Sequence, residues 1–120
     1  MHKYLAAIAI LLGAWSGAAL AHHGWSMYTS ADFTLTGTIV DTHFGRPHDR
    51  LTVEVDGEMW NVVLSPPSGS QRAGFEDDTV RVGDTVTMLG NRHNDAGTLE
   101  MKTRRITVHD RDYDLYPSRL

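Results

Sequence analysis

The chain has no cysteine in its 120 residues. No disulfide can staple it, and no thiolate can serve as a nucleophile or metal ligand. Any metal site must therefore be assembled from His, Asp, Glu or Met. Other chemical signatures are missing as well. There is no G-x-S-x-G elbow, no H-E-x-x-H zinc motif and no glycine loop of the phosphate-cradling kind. The carboxylates are scattered, without an acid/base context for a hydrolase. An excess of positive charge is also absent, with 11 Lys and Arg against 15 Asp and Glu. Removing the first 21 residues takes away one Lys and no acid, which leaves ten basic against fifteen acidic residues and a net −5 with His neutral. That balance predicts no nucleic-acid partner, because phosphate binding needs a basic face. It also gives no polybasic patch for a membrane surface after processing.

A long hydrophobic run is lacking too. The longest, Leu5 to Trp15, falls short of the roughly 20 residues that a membrane-spanning helix needs. It follows the basic Met1-His2-Lys3 and precedes the small-residue stretch ending Ala19-Leu20-Ala21. This is the pattern of a secretory signal peptide over residues 1–21, cleaved after Ala21, with a start at Leu20 as the nearest competitor. The expected product is a single domain over 22–120, periplasmic or secreted.

What remains is rich in short β-prone runs separated by turn signals. Strands are expected over Phe33–Phe44, Leu51–Val55, Met59–Leu64, Thr85–Gly90 and Thr98–Val108. Asp56-Gly57 reads as a tight hairpin. Pro66-Pro67 stops the third strand, and Ser68 to Ala73 makes one helical turn closed by Gly74. The tail from Asp110 carries no clear pattern and reads as loosely held. Five strands with a helical element after the third predict a mostly β fold, a small five-stranded antiparallel OB-like barrel with one short helical turn. Gly37 and Gly90 suit the bent corners of such a barrel.

Histidine is the chemically informative residue. A chain cleaved after Ala21 begins His22-His23-Gly24-Trp25. A terminal amine and the Nδ1 of the same residue chelate one metal ion. A third nitrogen from a distant His completes a histidine brace, whose tetragonal nitrogen set suits copper. His48, in Arg46-Pro47-His48, is the expected third nitrogen. His43, at the end of the first strand, or His23 adds a further ligand. Met27 offers a soft axial thioether. His93 and His109 read as surface residues. Trp25, Tyr28 and Phe33 pack the terminus onto the core, with a dry wall around a metal as the alternative role. Trp60 reads as core, and Arg72, Arg104 and Arg105 as surface or ion-pair residues. Glu76-Asp77-Asp78 lacks the spacing of a calcium loop and reads as a solvated turn.

These residues together resemble a family. His22-His23-Gly24-Trp25, Thr36-Gly37-Thr38-Ile39-Val40, Pro47-His48, Gln71-Arg72-Ala73-Gly74-Phe75 and Val82 to Gly90 are similar to an uncharacterised family of small periplasmic bacterial proteins, domain-of-unknown-function family 6152. The resemblance covers about Ala21 to Val108. The family's loop reads Asn-Pro-His, and Arg46 stands here in place of the Asn. Phe75 stands where the family has Trp. The resemblance implies a periplasmic β-barrel-like domain and supplies no catalytic activity.

The leading expectation is a periplasmic metal-binding protein that binds or delivers copper through His22, His23, His48 and His43, possessing a metal ion and a periplasmic protein as partners. A non-metal OB-like module for a peptide, protein or oligosaccharide is the alternative. A small secreted enzyme is the third reading.

Overall fold

The computed structural model describes residues 24–120. His22, His23 and the expected signal segment lie outside the described residues. The strands are β1 (Phe33–His43), β2 (Arg50–Val55), β3 (Glu58–Val63), β4 (Thr85–Arg92), β5 (Glu100–Val108) and β6 (Arg111–Asp114). A six-residue helix, α1 (Pro67–Arg72), joins β3 to β4. A 3-10 turn (Pro117–Arg119) ends the chain.

Alternation builds the core. In β2, Leu51 and Val53 are buried while Glu54 is exposed. In β3, Trp60 and Val62 are buried between more exposed neighbours. Val86 and Met88 of β4 and Met101 and Ile106 of β5 complete the interior. Asp56 and Gly57 both have positive φ, 50° and 84°, which is the backbone that a tight hairpin between β2 and β3 requires.

The sheet runs β3-β2-β1-β4-β5-β6, and an extra pairing between β3 and β5 closes it. The result is the expected five-stranded barrel. β1 bends to serve two neighbours, pairing with β4 through Phe33–Thr38 and with β2 through Thr38–His43. The closing seam is parallel, whereas the other pairings are antiparallel. Parallel closure follows from the strand count, since four antiparallel steps from β3 through β2, β1 and β4 to β5 leave the first and last strands pointing the same way.

Two glycines make the bending possible. A Cβ on Gly37 would collide with the Glu54 carbonyl, and one on Gly90 with the Lys102 carbonyl. Gly90 also sits at a register shift between β4 and β5. A side chain there would push apart backbones that the barrel holds in close approach.

The C-terminal tail differs from the expectation of a loose end. It forms β6 on the free edge of β5, and it buries Tyr113 and Leu115. Tyr113 meets Phe75 edge-on, with ring centroids 5.5 Å apart, and Phe75 also lies 6.0 Å from Phe44. The aspartates of this stretch hid the pattern, because Asp112 and Asp114 point outward to Thr107 and Arg105. No helix of the described residues is long and apolar enough to cross a membrane.

Replacing Gly90 with Ala should cost roughly 2 kcal/mol, the scale of overpacking in a closed site. For a domain of this size that corresponds to a thermal midpoint lowered by roughly 10 °C, readable by circular dichroism. An unchanged midpoint would mean that the corner at Gly90 is not as tight as described.

Candidate functional site

The segment that follows the expected signal is fastened to the outside of the barrel. Gly24 to Ser26 form a helical turn. The Lys102 ammonium donates to the Gly24 carbonyl at 2.7 Å. Asn94 holds the segment twice, through its side chain to the Ser26 carbonyl and through its backbone N–H to the Met27 carbonyl. The Thr29 N–H donates to the Arg92 carbonyl, and Tyr28 bridges to His93. The Tyr28 hydroxyl donates to Glu100 at 2.6 Å.

Trp25 is the apolar part of this fastening. Its ring meets Tyr116 edge-on at 5.0 Å. Lys102 Nζ lies 4.7 Å and the Arg119 guanidinium 4.2 Å from the ring centroid. Two cations flanking one indole gain from its negative faces, about 0.5–2 kcal/mol each according to how dry the contact is. Trp25 and Tyr28 thus pack this segment onto the barrel, as expected.

Beside this segment lies a recess of about 340 Å³. Its walls come from four places. Gly24, Met27 and Tyr28 belong to the terminal segment, Pro47 and His48 to the β1–β2 loop, Arg50, Asn61 and Val63 to β2 and β3, and Glu100 and Lys102 to β5. The registers explain the grouping. Arg50 pairs with Val63 and Val63 with Lys102, while Thr52 pairs with Asn61 and Asn61 with Glu100, so two rows of outward side chains cross three strands. Asn61 Nδ2 donates to Glu100 at 2.9 Å across the parallel seam. A second recess of about 220 Å³ continues on the other side of this face. It shares Arg50 and Asn61 with the first and adds Asp41, His43 and Thr52.

Burial sets the protonation of the lining. His48 has its pKa lowered, first by burial and then by the Lys102 charge, with Asp49 opposing and Arg50 adding to the shift. Lys102 is itself lowered, by burial and then by Arg119, and among the described residues no carboxylate stands within salt-bridge distance of it. The Tyr28 hydroxyl is pushed well above the ordinary phenol value by burial and by its bond to Glu100. The recess therefore presents an imidazole and an ammonium whose charged forms are disfavoured by burial, and a phenol held protonated on Glu100.

The expected ligands are distributed unevenly. His48 and Met27 share the first recess, and His43 opens on the second. Among the described residues no three His, Asp or Glu side chains converge on one metal position. His93 packs against Tyr28, and exposed His109 lies 3.4 Å from Asp84. Arg104 and Arg105 are ion-pair residues, with Asp32 and Asp114. Glu76, Asp77 and Asp78 are all exposed, as a solvated turn should be. Lys102, Glu100 and Asn61 were not identified from the sequence. The one available signal was their parity, since Glu100 and Lys102 fall on the outward positions of a strand.

A family model described as "Family of unknown function (DUF6152)" matches residues 10–101. No curated protein matches the sequence. Among solved structures, the Stn1-Ten1 complex of S. pombe is similar with a TM-score of 0.51 and 20% identity, over 64% of this chain and 57% of that one. This chain thus spans little more than half the length of that relative. The mitochondrial single-stranded DNA binding protein Rim1 of S. cerevisiae is similar with a TM-score of 0.50 and 15% identity, over 66% of this chain and 92% of that one. At identities this low, the likenesses show a shared fold alone. They also correct one expectation, the exclusion of a nucleic-acid partner. A protein named for binding single-stranded DNA has this barrel, so the class is not excluded. The physical fault lay in using net charge. A whole-chain sum says little about one face, and here Lys102, Arg104, Arg119 and Trp25 lie close together.

The pKa shift of His48 gives a test of this geometry. Its folded value lies below the ordinary 6.5, so the native state resists the proton. The associated stability is fully present above the ordinary value and is lost as pH falls through the folded value. In an NMR titration His48 should have its midpoint below that of a free imidazole. Lys102→Met should raise this midpoint, yet leave it below the ordinary value, because burial is the larger cause. A midpoint at or above the ordinary value in the parent protein would contradict the recess as described.

Proposed function

We propose that this chain, which belongs to the family of unknown function DUF6152, is an extracytoplasmic binding module that takes a peptide segment of a partner protein. The ligand lies across the outer face of β2, β3 and β5. The observation that carries this reading is the pair of adjoining recesses that share Arg50 and Asn61. They lie on the strand 2–3 face, beside the first loop, where barrels of this architecture commonly bind extended ligands. Arg50, Thr52, Asn61 and Glu100 offer donors and acceptors of both signs at strand spacing, which suits the alternating groups of a peptide backbone. The export signal read from residues 1–21 supports a site of action outside the cytoplasm.

Backbone amide shifts of the processed domain are the measurement. Panels of peptides, neutral oligosaccharides and single-stranded DNA would be titrated separately. Peptides should move the amides of β2 and β3, and Arg50→Ala or Asn61→Ala should weaken the strongest binder by about tenfold, the scale of one lost hydrogen bond to a charged or buried group. Shifts confined to other faces would overturn the reading, and a response to sugars or DNA alone would replace the peptide by that class.

A second reading is favoured by one observation: Met27 and Gly24 share the walls of the recess with His48. His22 precedes Gly24 by two residues, a span of at most about 7 Å. A chain processed after Ala21 would thus carry its amine and imidazole to within reach of His48. Copper held by His22 and His48, with His23 or His43 as a further ligand and Met27 as a thioether, is the metal form of this site. The neutral state of His48 suits it and the nearby Lys102 charge opposes it. Copper titration followed by electron paramagnetic resonance distinguishes the two. The metal reading expects a tetragonal signal that disappears in His48→Ala and in a protein with Gly-Ser placed before His22. Equal binding by the extended protein would remove it.

A further inference from the structure

A third recess lies on the opposite side of the β1–β2 loop and shares no lining residue with the His48 recess. It measures about 220 Å³ and opens between that loop, α1 and the stretch Phe75 to Asp77. Asp49 lies in its wall and is only 3% exposed. One oxygen of its carboxylate accepts the Gly45 N–H at 2.9 Å. Among the described residues the other has no hydrogen-bond donor, and no basic group stands within salt-bridge distance. A buried carboxylate is costly to keep unless a cation or several donors meet it. Asp49 has one donor, and it faces a cavity.

The remaining lining points the same way. Glu76 and Asp77 are exposed at the rim, and Gln71 adds an amide. Phe44 makes the apolar wall and the fully buried Phe75 backs it, their rings tilted at 32° with centroids 6.0 Å apart. Aromatic surface beside a carboxylate is the combination that recognises an organic cation. A small divalent ion is the poorer fit, because among the described residues the acids are not gathered around one position.

We propose that this recess binds a primary ammonium group on an alkyl arm, with the charge at Asp49, the methylenes along Phe44, and Glu76 and Asp77 drawing it in. A lysine side chain of a partner protein and a free amine share this chemistry. The site is independent of the peptide face proposed above, so either can fail without the other.

Butylammonium chloride is the probe, titrated into the processed domain and followed by amide shifts. The amides of Gly45, Gln71 and Glu76 should move together. Asp49→Asn keeps an acceptor for the Gly45 N–H and removes the charge, and it should weaken binding by about tenfold. Glu76→Gln with Asp77→Asn should weaken it by a smaller factor at low salt, without touching the interior. A blocked lysine amide that binds more tightly than butylammonium assigns the site to a partner's lysine. Equal affinities assign it to free amines. Butanol producing the same shifts would overturn the proposal, since the recess would then be merely apolar. So would unchanged binding by Asp49→Asn with a native spectrum. If Asp49→Asn does not fold, the rim variant decides, and unchanged binding there at low salt is equally fatal.

Discussion

Three residue pairs between β3 and β5 turn a sheet into a barrel. Asn61 meets Glu100, Val62 meets Met101 and Val63 meets Lys102. Without that seam, the outward rows of β2 and β3 would end at a free edge, and β5 would lie elsewhere. With it, Val62 and Met101 are driven into one interior. The neighbouring pairs are pressed into one outer surface, where Asn61 can reach Glu100. The seam therefore makes the core and the binding face in the same act. It also explains why so short a pairing suffices. The strands on either side are already fixed by longer antiparallel ladders, and little conformational freedom remains to be lost at closure.

The terminal segment rests on the surface that the seam creates. Lys102 is drawn out of water by its place in β5, and it recovers interactions from the Gly24 carbonyl and the Trp25 ring. Tyr28 meets Glu100, whose other oxygen is held by Asn61. One acidic side chain thus ties the terminal segment to the closing strands. Such chains of partly buried hydrogen bonds hold geometry more firmly than separate surface contacts would. His48 and Gly24 share one recess in the same arrangement, because the β1–β2 loop and the segment both border it.

Much of this fold was legible in the sequence. The five barrel strands fall within two residues of their expected ends, because alternation in Leu51 to Val55 and the turn at Asp56-Gly57 are local signals. The helical turn after Pro66-Pro67 and the glycine corners were equally local. The tail was not legible, since Tyr113 and Leu115 are its only buried hydrophobic residues and the alternation is too brief to stand out among acidic neighbours. The site was readable only in part. His48 could be singled out by its chemistry and its loop. Lys102 and Glu100 look like ordinary outward residues of a strand, and their burial comes from a segment more than seventy positions away. Asp49 was missed for a related reason. Its seclusion depends on Phe75 and α1, which pack beside it only in three dimensions.

The contact between Trp25 and the final turn has a topological consequence. Trp25 touches Tyr116 and Arg119, and the Arg119 carbonyl accepts from Arg104. Among the described residues, the first and last segments thus meet on one side of the barrel. A chain joined between those two segments could be opened anywhere that carries no load. The exposed turn Asp95 to Gly97 is such a place, remote from the interior, with hydrogen bonds that stay within Arg92 to Thr98. Joining Gly24 to Leu120 by a short linker and cutting there would give the same barrel a different first residue.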